Sequence, residues 1–209
     1  MVTDSLYAPY IDQKYKEFAS GLSPTDALPR LGIRVPVLRE LSRKTDAESI
    51  EIRYHEDVIL KGLAIGREKR PFSEKQKELQ DLLPYLASWD HTDIIATGFR
   101  YSRAEGHLME DFFFSLLTDS RVFARRLGIV WILQNRKNLC CEKAIRAISA
   151  SDDENEYYIS TAVAWAFSFF YIDDPANAAL MHDASDITRK RASEKIRESR
   201  RYGGEAFCL

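Results

Sequence analysis

Apolar residues recur along this chain at intervals of three and four, the spacing of amphipathic helices. No segment alternates apolar and polar residues convincingly, as a half-buried strand would. The first apolar face comprises Leu6, Tyr10, Ile11, Tyr15, Phe18 and Leu22. The second, shorter face comprises Val37, Leu38 and Leu41. The pattern therefore predicts helices from the start of the chain onward.

Further helices are predicted over 48–66, 73–86, 90–100, 105–118, 120–135, 139–150, 154–171 and 185–201. Turn and capping residues separate them, as at Pro71, Asp119 and Pro175. Short amphipathic helices with brief connections are typical of HEAT-like arrays. We therefore expect an all-α protein with a single domain over residues 1–209, built as a curved solenoid of HEAT-like antiparallel helix pairs.

Two tryptophans, a carboxylate and an arginine occur at matching intervals. Trp89 and Arg126 are 37 residues apart, and Arg126 and Trp165 are 39 residues apart, which is the length of a helix-pair repeat. Asp93 follows Trp89 within the same segment. Equivalent positions of successive repeats project from one concave wall. The four side chains are therefore predicted to converge on a ligand that has cationic and anionic parts.

The charge of the chain is unevenly distributed. The formal net charge of −2 argues against a generic nucleic-acid binder. Residues 188–201, however, contain seven basic and two acidic side chains, so this segment carries +5 and the remainder −7. The basic segment is suited to phosphates, and a solvated last helix is the alternative interpretation.

The cysteines and the absence of long apolar runs indicate the cellular compartment of the protein and argue against a metal site and a membrane span. Cys140, Cys141 and Cys208 show no metal-binding spacing, and no His-rich motif accompanies them. The sequence shows no secretory signal and no long apolar span. We expect a cytoplasmic monomer that uses no metal or cofactor and has no contact with a membrane.

Five short segments, in order along the chain, carry a resemblance to a known family. They are 32–39 (GIRVPVLR), 89–93 (WDHTD), 124–130 (ARRLGIV), 157–165 (YYISTAVAW) and, more weakly, 188–192 (TRKRA). In these segments the chain resembles the AlkD-like family of DNA alkylation repair glycosylases. The resemblance implies an all-α solenoid of HEAT-like pairs with a basic groove for duplex DNA. It also implies excision of cationic alkylpurines such as 3-methyladenine and 7-methylguanine.

The resemblance further implies roles for the four recurring residues. Asp93 would stabilise the oxocarbenium-like sugar and orient water, because an already cationic base leaves without being protonated. Trp89 and Trp165 would hold the cationic nucleotide against their ring faces. Arg126 would grip a phosphate beside the lesion. Further DNA contacts are expected from Arg125, Arg136, Arg189, Lys190 and Arg191.

The same side chains also have purely structural interpretations. A Trp in a helical array more often fills a core, and Trp131, which matches no family segment, is assigned to packing. Asp90 is suited to the N-cap of a helix, with Asp93 completing the capping arrangement. The alternative for Arg125 and Arg126 is an ion pair with Glu110 or Asp111.

The chain departs from the family in its DNA-contacting parts. Residues 22–31 contain two prolines where the family usually has a helix that touches the minor groove, so no helix of useful length is expected there. Thr161, Ser168 and Gln134 stand where the family tends to have basic residues, and Arg136 is a nearby substitute for the last. Each lost phosphate contact removes part of the affinity for DNA.

Two hypotheses follow. In the favoured one the protein retains the four catalytic residues of the family but binds DNA weakly and excises alkylpurines weakly or not at all. In the alternative it is an active DNA N-glycosylase that releases 3-methyladenine or 7-methylguanine by hydrolysis of the N-glycosidic bond, assisted by Asp93.

Overall fold

The computed structural model describes residues 2–23 and 28–201, and this described part contains eleven α-helices and no strand. The prediction of an all-α protein is therefore confirmed. The helices are α1 Val2–Tyr7, α2 Gln13–Leu22, α3 Val35–Leu41, α4 His55–Arg67, α5 Phe72–Leu82, α6 Trp89–Ala96, α7 Gly106–Ser115, α8 Val122–Asn135, α9 Cys141–Ala150, α10 Tyr157–Asp173 and α11 Asp186–Arg197.

The chain divides into two compact units, the first ending at Arg100 and the second beginning at Tyr101. Helices α1–α6 belong to unit 1, and α7–α11 belong to unit 2. The curved solenoid and the single domain stay predictions.

The first predicted helix is in fact two helices. Asp12 has extended backbone angles (φ −123°, ψ 102°), and its carboxylate accepts a hydrogen bond of 3.0 Å from the amide of Tyr15, so it caps a new helix, α2. The predicted apolar face is also wrong in part, because Ile11, Phe18 and Leu22 are each more than half exposed.

The N-terminus of α4 comes seven residues later than the periodicity predicts. Asp57 accepts hydrogen bonds from the amides of Arg53 (3.0 Å) and Tyr54 (2.8 Å), which fixes a helix start at His55. The hydroxyl of Tyr7 donates to the other carboxylate oxygen of Asp57 at 2.9 Å. Local capping thus overrides an apolar pattern that continues on both sides of it.

The turn before α3 requires a glycine. Gly32 has a φ of +88°, and a Cβ built on it would lie 2.4 Å from the backbone oxygen of Asp12. The buried carboxylate of Glu56 accepts hydrogen bonds from the consecutive amides of Leu31, Gly32 and Ile33, the shortest being 2.7 Å at Gly32. The G-I-R-V-P segment is therefore a rigid turn attached to the first turn of α4.

Helix α6 ends four residues earlier than predicted, at Ala96. The backbones of unit 1 come close together here, since a Cβ on Gly66 of α4 would lie 2.7 Å from the carbonyl oxygen of Gly98. The core of unit 1 includes the buried side chains of Leu60, Leu79 and Ile95, one each from α4, α5 and α6. α4 packs against both α5 and α6.

In unit 2, α10 packs against α8 and α11. Trp131 of α8 is fully buried and stacks on Phe113, with 4.3 Å between ring centroids, so its assignment to packing is confirmed. α8 and α10 bury residues on nearly all sides, among them Leu127, Ile132 and Phe167. These two helices are the centre of the unit.

The segment expected to lack a useful helix is partly described. Helix α2 ends at Leu22, and residues 28–34 are not helical, which agrees with the prediction. Residues 24–27 and Cys208 lie outside the described residues.

Among the described residues no helix combines the length and the apolar character that a membrane crossing needs.

Candidate functional site

The first half of the predicted site lies on α6. Trp89 is the first residue of this helix and Asp93 lies four residues later, so both side chains lie on one face, a turn apart. Both residues are half-buried. The indole N–H of Trp89 points toward the carbonyl oxygen of Leu22, 3.4 Å away.

A threonine hydroxyl links these two residues. The Oγ1 of Thr92 lies 2.8 Å from the carbonyl oxygen of Trp89 and 3.0 Å from the Oδ1 of Asp93. Both partners are acceptors, so the single hydroxyl hydrogen is shared between them. The hydroxyl of Thr92 thus joins the backbone of Trp89 to the carboxylate of Asp93.

The structural interpretation of Asp90 as an N-cap is wrong. The helix begins two residues earlier than that interpretation requires, with Ser88 as the N-cap residue in an extended conformation. The carboxylate of Asp90 instead accepts hydrogen bonds from Ser88, from the guanidinium of Arg30 at 3.1 Å and from Nε2 of His55 at 3.0 Å. Burial raises the pKa of Asp90, but the hydrogen bonds from His55 and Ser88 and the charge of Arg30 outweigh it and hold the pKa well below its usual range.

Two stacked histidines complete this cluster. The rings of His55 and His91 lie 4.0 Å apart, centroid to centroid. The amide of Ala87 donates to Nδ1 of His91 at 3.2 Å, so the hydrogen of His91 lies on Nε2, which donates to the carbonyl oxygen of His55 at 3.1 Å. The residue just before the N-cap of α6 is thereby fixed to the first residue of α4.

The second half of the predicted site lies in unit 2. Arg126 of α8 is only 6% exposed, and its Nη1 donates to the carbonyl oxygen of Tyr158 on α10 at 2.8 Å. Thr161 lies 3.5 Å from the same nitrogen. Trp165 is half-buried, and its ring meets that of Phe169 edge to face at 6.4 Å.

Residues 158, 161 and 165 follow the spacing of one helix face, so Arg126 and Trp165 lie toward the same side of α10. Seven residues separate Tyr158 and Trp165, which places the arginine contact and the indole about 10 Å apart along the helix axis. Within unit 2 this face carries a buried cation and a partly open aromatic ring. Convergence of this face with Trp89 and Asp93 stays a prediction.

Two of the basic residues expected to contact DNA, Arg125 and Arg136, have carboxylate partners within unit 2. Arg125 lies 3.5 Å from Asp153, and not against Glu110 or Asp111 as the structural alternative has it. Arg136 pairs with Asp173 at 2.7 Å and lies over the ring of Phe169, 4.9 Å from its centroid.

The three residues of α11 that were expected to contact DNA differ from one another in their surroundings. Arg189 pairs with Asp186 on the same helix. Arg191 donates to the hydroxyl of Ser160 and lies over the ring of Tyr157. Lys190 is exposed.

The sequence model of the DNA alkylation repair enzyme family matches residues 8–196. The chain belongs to this family. The match includes helices of both units and every predicted site residue. A comparison with curated proteins finds no match.

For this DNA alkylation repair family member, the described residues contain no group of three or more His, Cys, Asp or Glu side chains that could hold a metal ion.

Sequence reasoning missed the cluster of Arg30, His55 and Asp90. These residues come from three separate segments, and their pairing depends on tertiary contacts that no local periodicity reveals. Two of only four histidines, His55 and His91, lie near the starts of α4 and α6, but the predicted helix over 48–66 hid the position of His55 at a helix start.

Proposed function

We propose that this member of the DNA alkylation repair family binds duplex DNA weakly, as a monomer, and excises cationic alkylpurines weakly or not at all. One observation carries the proposal. The guanidinium groups of Arg125, Arg136 and Arg189, which a DNA clamp would direct at phosphates, are paired with carboxylates of unit 2. A phosphate must displace those carboxylates, so the cost of breaking the arginine–carboxylate pairs offsets part of the attraction between arginine and phosphate.

The break between α2 and α3 supports the same proposal. No helix is present at residues 28–34, in the interval where active relatives are expected to contact the minor groove. Phosphate and groove contacts remote from the reacting bond normally position that bond against the catalytic groups. A site with intact residues is therefore slow when those contacts are missing.

The reaction assigned to the site needs few groups. A purine alkylated at N3 or N7 is cationic and leaves as a neutral base, so no general acid is required. Asp93 would stabilise the positive charge that develops on the sugar and orient the attacking water. Trp89 and Trp165 would contribute cation–π attraction of about 1–2 kcal/mol each when water is excluded.

The alternative function, efficient alkylpurine excision, is favoured by a different observation. Trp89 and Asp93 share one face of α6, and both are partly open to solvent. A nucleotide could reach them without rearrangement of unit 1. The position of Arg126 is less favourable for this alternative, because it is nearly buried and donates to the carbonyl of Tyr158.

The DNA-binding part of the proposal is tested by fluorescence anisotropy with a short labelled duplex at several salt concentrations. We expect weak binding that falls steeply as salt increases, because phosphate contacts release counterions. Asp93→Asn serves as the matched control, since it removes a charge from the site but no phosphate ligand. A tight complex that persists near physiological salt would contradict the proposal and favour the active glycosylase.

A further inference from the structure

A buried charged cluster lies beside the candidate residues of α6, and the proposed chemistry does not use it. The side chains of Arg30, His55 and Asp90 are 8%, 2% and 15% exposed. All three belong to unit 1, and Asp90 is the residue directly after Trp89.

Stability alone is a poor reason for such a cluster. Burying charged groups is unfavourable unless each is paired, and well-packed apolar residues of similar volume often stabilise a core as well or better. In some proteins a buried ion pair instead fixes one specific geometry. Here it sets the position of the first turn of α6, where Asp90 lies.

The cluster joins three segments of unit 1. The guanidinium of Arg30 reaches Asp90 from the turn before α3, while the amide of His55 donates to the carbonyl oxygen of Pro29 at 3.0 Å. His55 itself begins α4, and its Nε2 reaches Asp90. His91, which holds the carbonyl of His55, leaves this end of α6 little freedom to rotate or slide.

We propose that Arg30 and His55 are positioning residues that act through Asp90. They fix the first turn of α6, so that the indole of Trp89 and the carboxylate of Asp93 hold the orientation that a cationic sugar requires. This inference rests on the proposed function, because Trp89 and Asp93 are the residues whose placement matters.

The test compares three full-length proteins: the wild type, His55→Phe and His55→Gln. His55→Phe keeps a ring against His91 but removes the hydrogen bond to Asp90. His55→Gln retains an N–H donor at a similar distance and is the matched rescue variant. Arg30→Met and its rescue variant Arg30→Lys form a second pair, to be used if His55→Phe does not fold.

Two measurements are made on each protein. The first is the indole N–H resonance of Trp89 in ¹⁵N-labelled protein, which reports the placement of the ring without any catalysis. The second is the ratio of affinities, at low salt, for a duplex containing a protonated pyrrolidine in place of one deoxyribose and for the unmodified duplex. That ratio reports the attraction between Asp93 and a cationic sugar, and a purely structural role would leave it unchanged.

We expect the preference for the pyrrolidine duplex to fall about tenfold in His55→Phe, a loss comparable to one charge-assisted hydrogen bond. It should stay within about twofold of the wild type in His55→Gln, on the same scale. The Trp89 resonance should move in the first variant and stay in place in the second.

A folded His55→Phe protein with an unchanged preference and an unchanged Trp89 resonance would overturn the inference. An equal loss of affinity for both duplexes would overturn it as well, because it would mean a structural role only. If the wild type shows no preference for the pyrrolidine duplex, the role proposed for Asp93 at a cationic sugar fails. The Trp89 resonance alone then decides the inference: a shift in His55→Phe but not in His55→Gln supports it, and no shift in His55→Phe overturns it. The Arg30 pair is judged in the same way.

Discussion

At the scale of single residues, two carboxylates of unit 1 show how the surroundings of a group set its ionisation. Asp90 is held by an arginine, a histidine and a serine, and its pKa lies below the usual range. For Asp57, desolvation by burial is the dominant influence and raises the pKa, although the amides of Arg53 and Tyr54 act in the opposite direction. The two groups should therefore respond to pH with opposite signs.

The prediction compares Asp90→Asn and Asp57→Asn in urea unfolding between pH 3 and pH 7. A lowered pKa in the folded state gives stability that is present above the ordinary value of 3.8 and is lost as pH falls, so the advantage of the wild type over Asp90→Asn should shrink toward acid. A raised pKa gives stability that is present below that value and is lost as pH rises. The free energy of unfolding of the wild type should therefore fall relative to that of Asp57→Asn toward neutral pH. Parallel pH profiles for the two variants would refute the assignment.

A second prediction concerns the turn before α3. Gly32→Ala forces a side chain into a left-handed conformation and against the backbone of Asp12, and should reduce the free energy of unfolding by about 1–3 kcal/mol or more. Gly21→Ala is the control, because nothing lies within 4 Å of its Cβ and alanine favours a helix. The account of the turn fails if both substitutions change stability by the same small amount.

Single residues also mark the limit of what the sequence could predict. Trp89 and Asp93 were found because their types and spacing fit a known pattern, and the structure places them on one helix face. Arg30 and His55 carry no such pattern. Their partner, Asp90, is a residue of the type that commonly caps a helix, and only its contacts with two distant segments reveal its role.

At the scale of elements, apolar periodicity located most helices and missed some of their ends. Helices α8 and α10 differ from the predicted spans by at most three residues at either end, because each is a long run with strong boundaries. The start of α4 was wrong because Asp57 caps the chain in the middle of an apolar pattern. Helices α1 and α2 were merged because Asp12, a single polar residue, was not recognised as a cap.

The two tryptophans of unit 2 allow a prediction about α8 and α10. Trp131→Ala should cost about 3–5 kcal/mol of unfolding free energy, because the side chain is fully buried and leaves a cavity against Phe113. Trp165→Ala, at a half-buried position, should cost less than half as much and should mainly weaken DNA binding. Equal losses of stability would mean that Trp165 is a core residue and would remove it from the candidate site.

At the scale of the whole molecule, the distribution of charge bears on the affinity for DNA. The chain carries a net charge of −2, with its positive charge concentrated near the end of the described region. Two of the arginines that precede this segment are compensated locally, Arg125 by Asp153 and Arg136 by Asp173. In the proposed function, DNA binding is therefore weakened by the pairing of these arginines as well as by missing basic residues.

Releasing those arginines should strengthen DNA binding. In the double variant D153N/D173N, the guanidinium groups lose their carboxylate partners, so we expect a higher affinity for duplex DNA. The logarithm of the binding constant should also fall more steeply with the logarithm of the salt concentration, by an amount that corresponds to up to about two additional phosphate contacts. The exposed acid Glu142 suits a control, since its partner is Arg146, and E142Q changes the net charge while leaving Arg125 and Arg136 paired. An equal gain per charge in the control would mean that only net charge matters.

The central claim is that the catalytic residues are present while positioning by DNA contacts is deficient. The measurement that tests it most directly is release of 7-methylguanine from a methylated duplex under single-turnover conditions, for the wild type, D93N and D153N/D173N. We predict slow or undetectable release by the wild type, faster release by D153N/D173N, and none by D93N. Rapid release by the wild type that D93N abolishes would contradict the account and identify an efficient glycosylase.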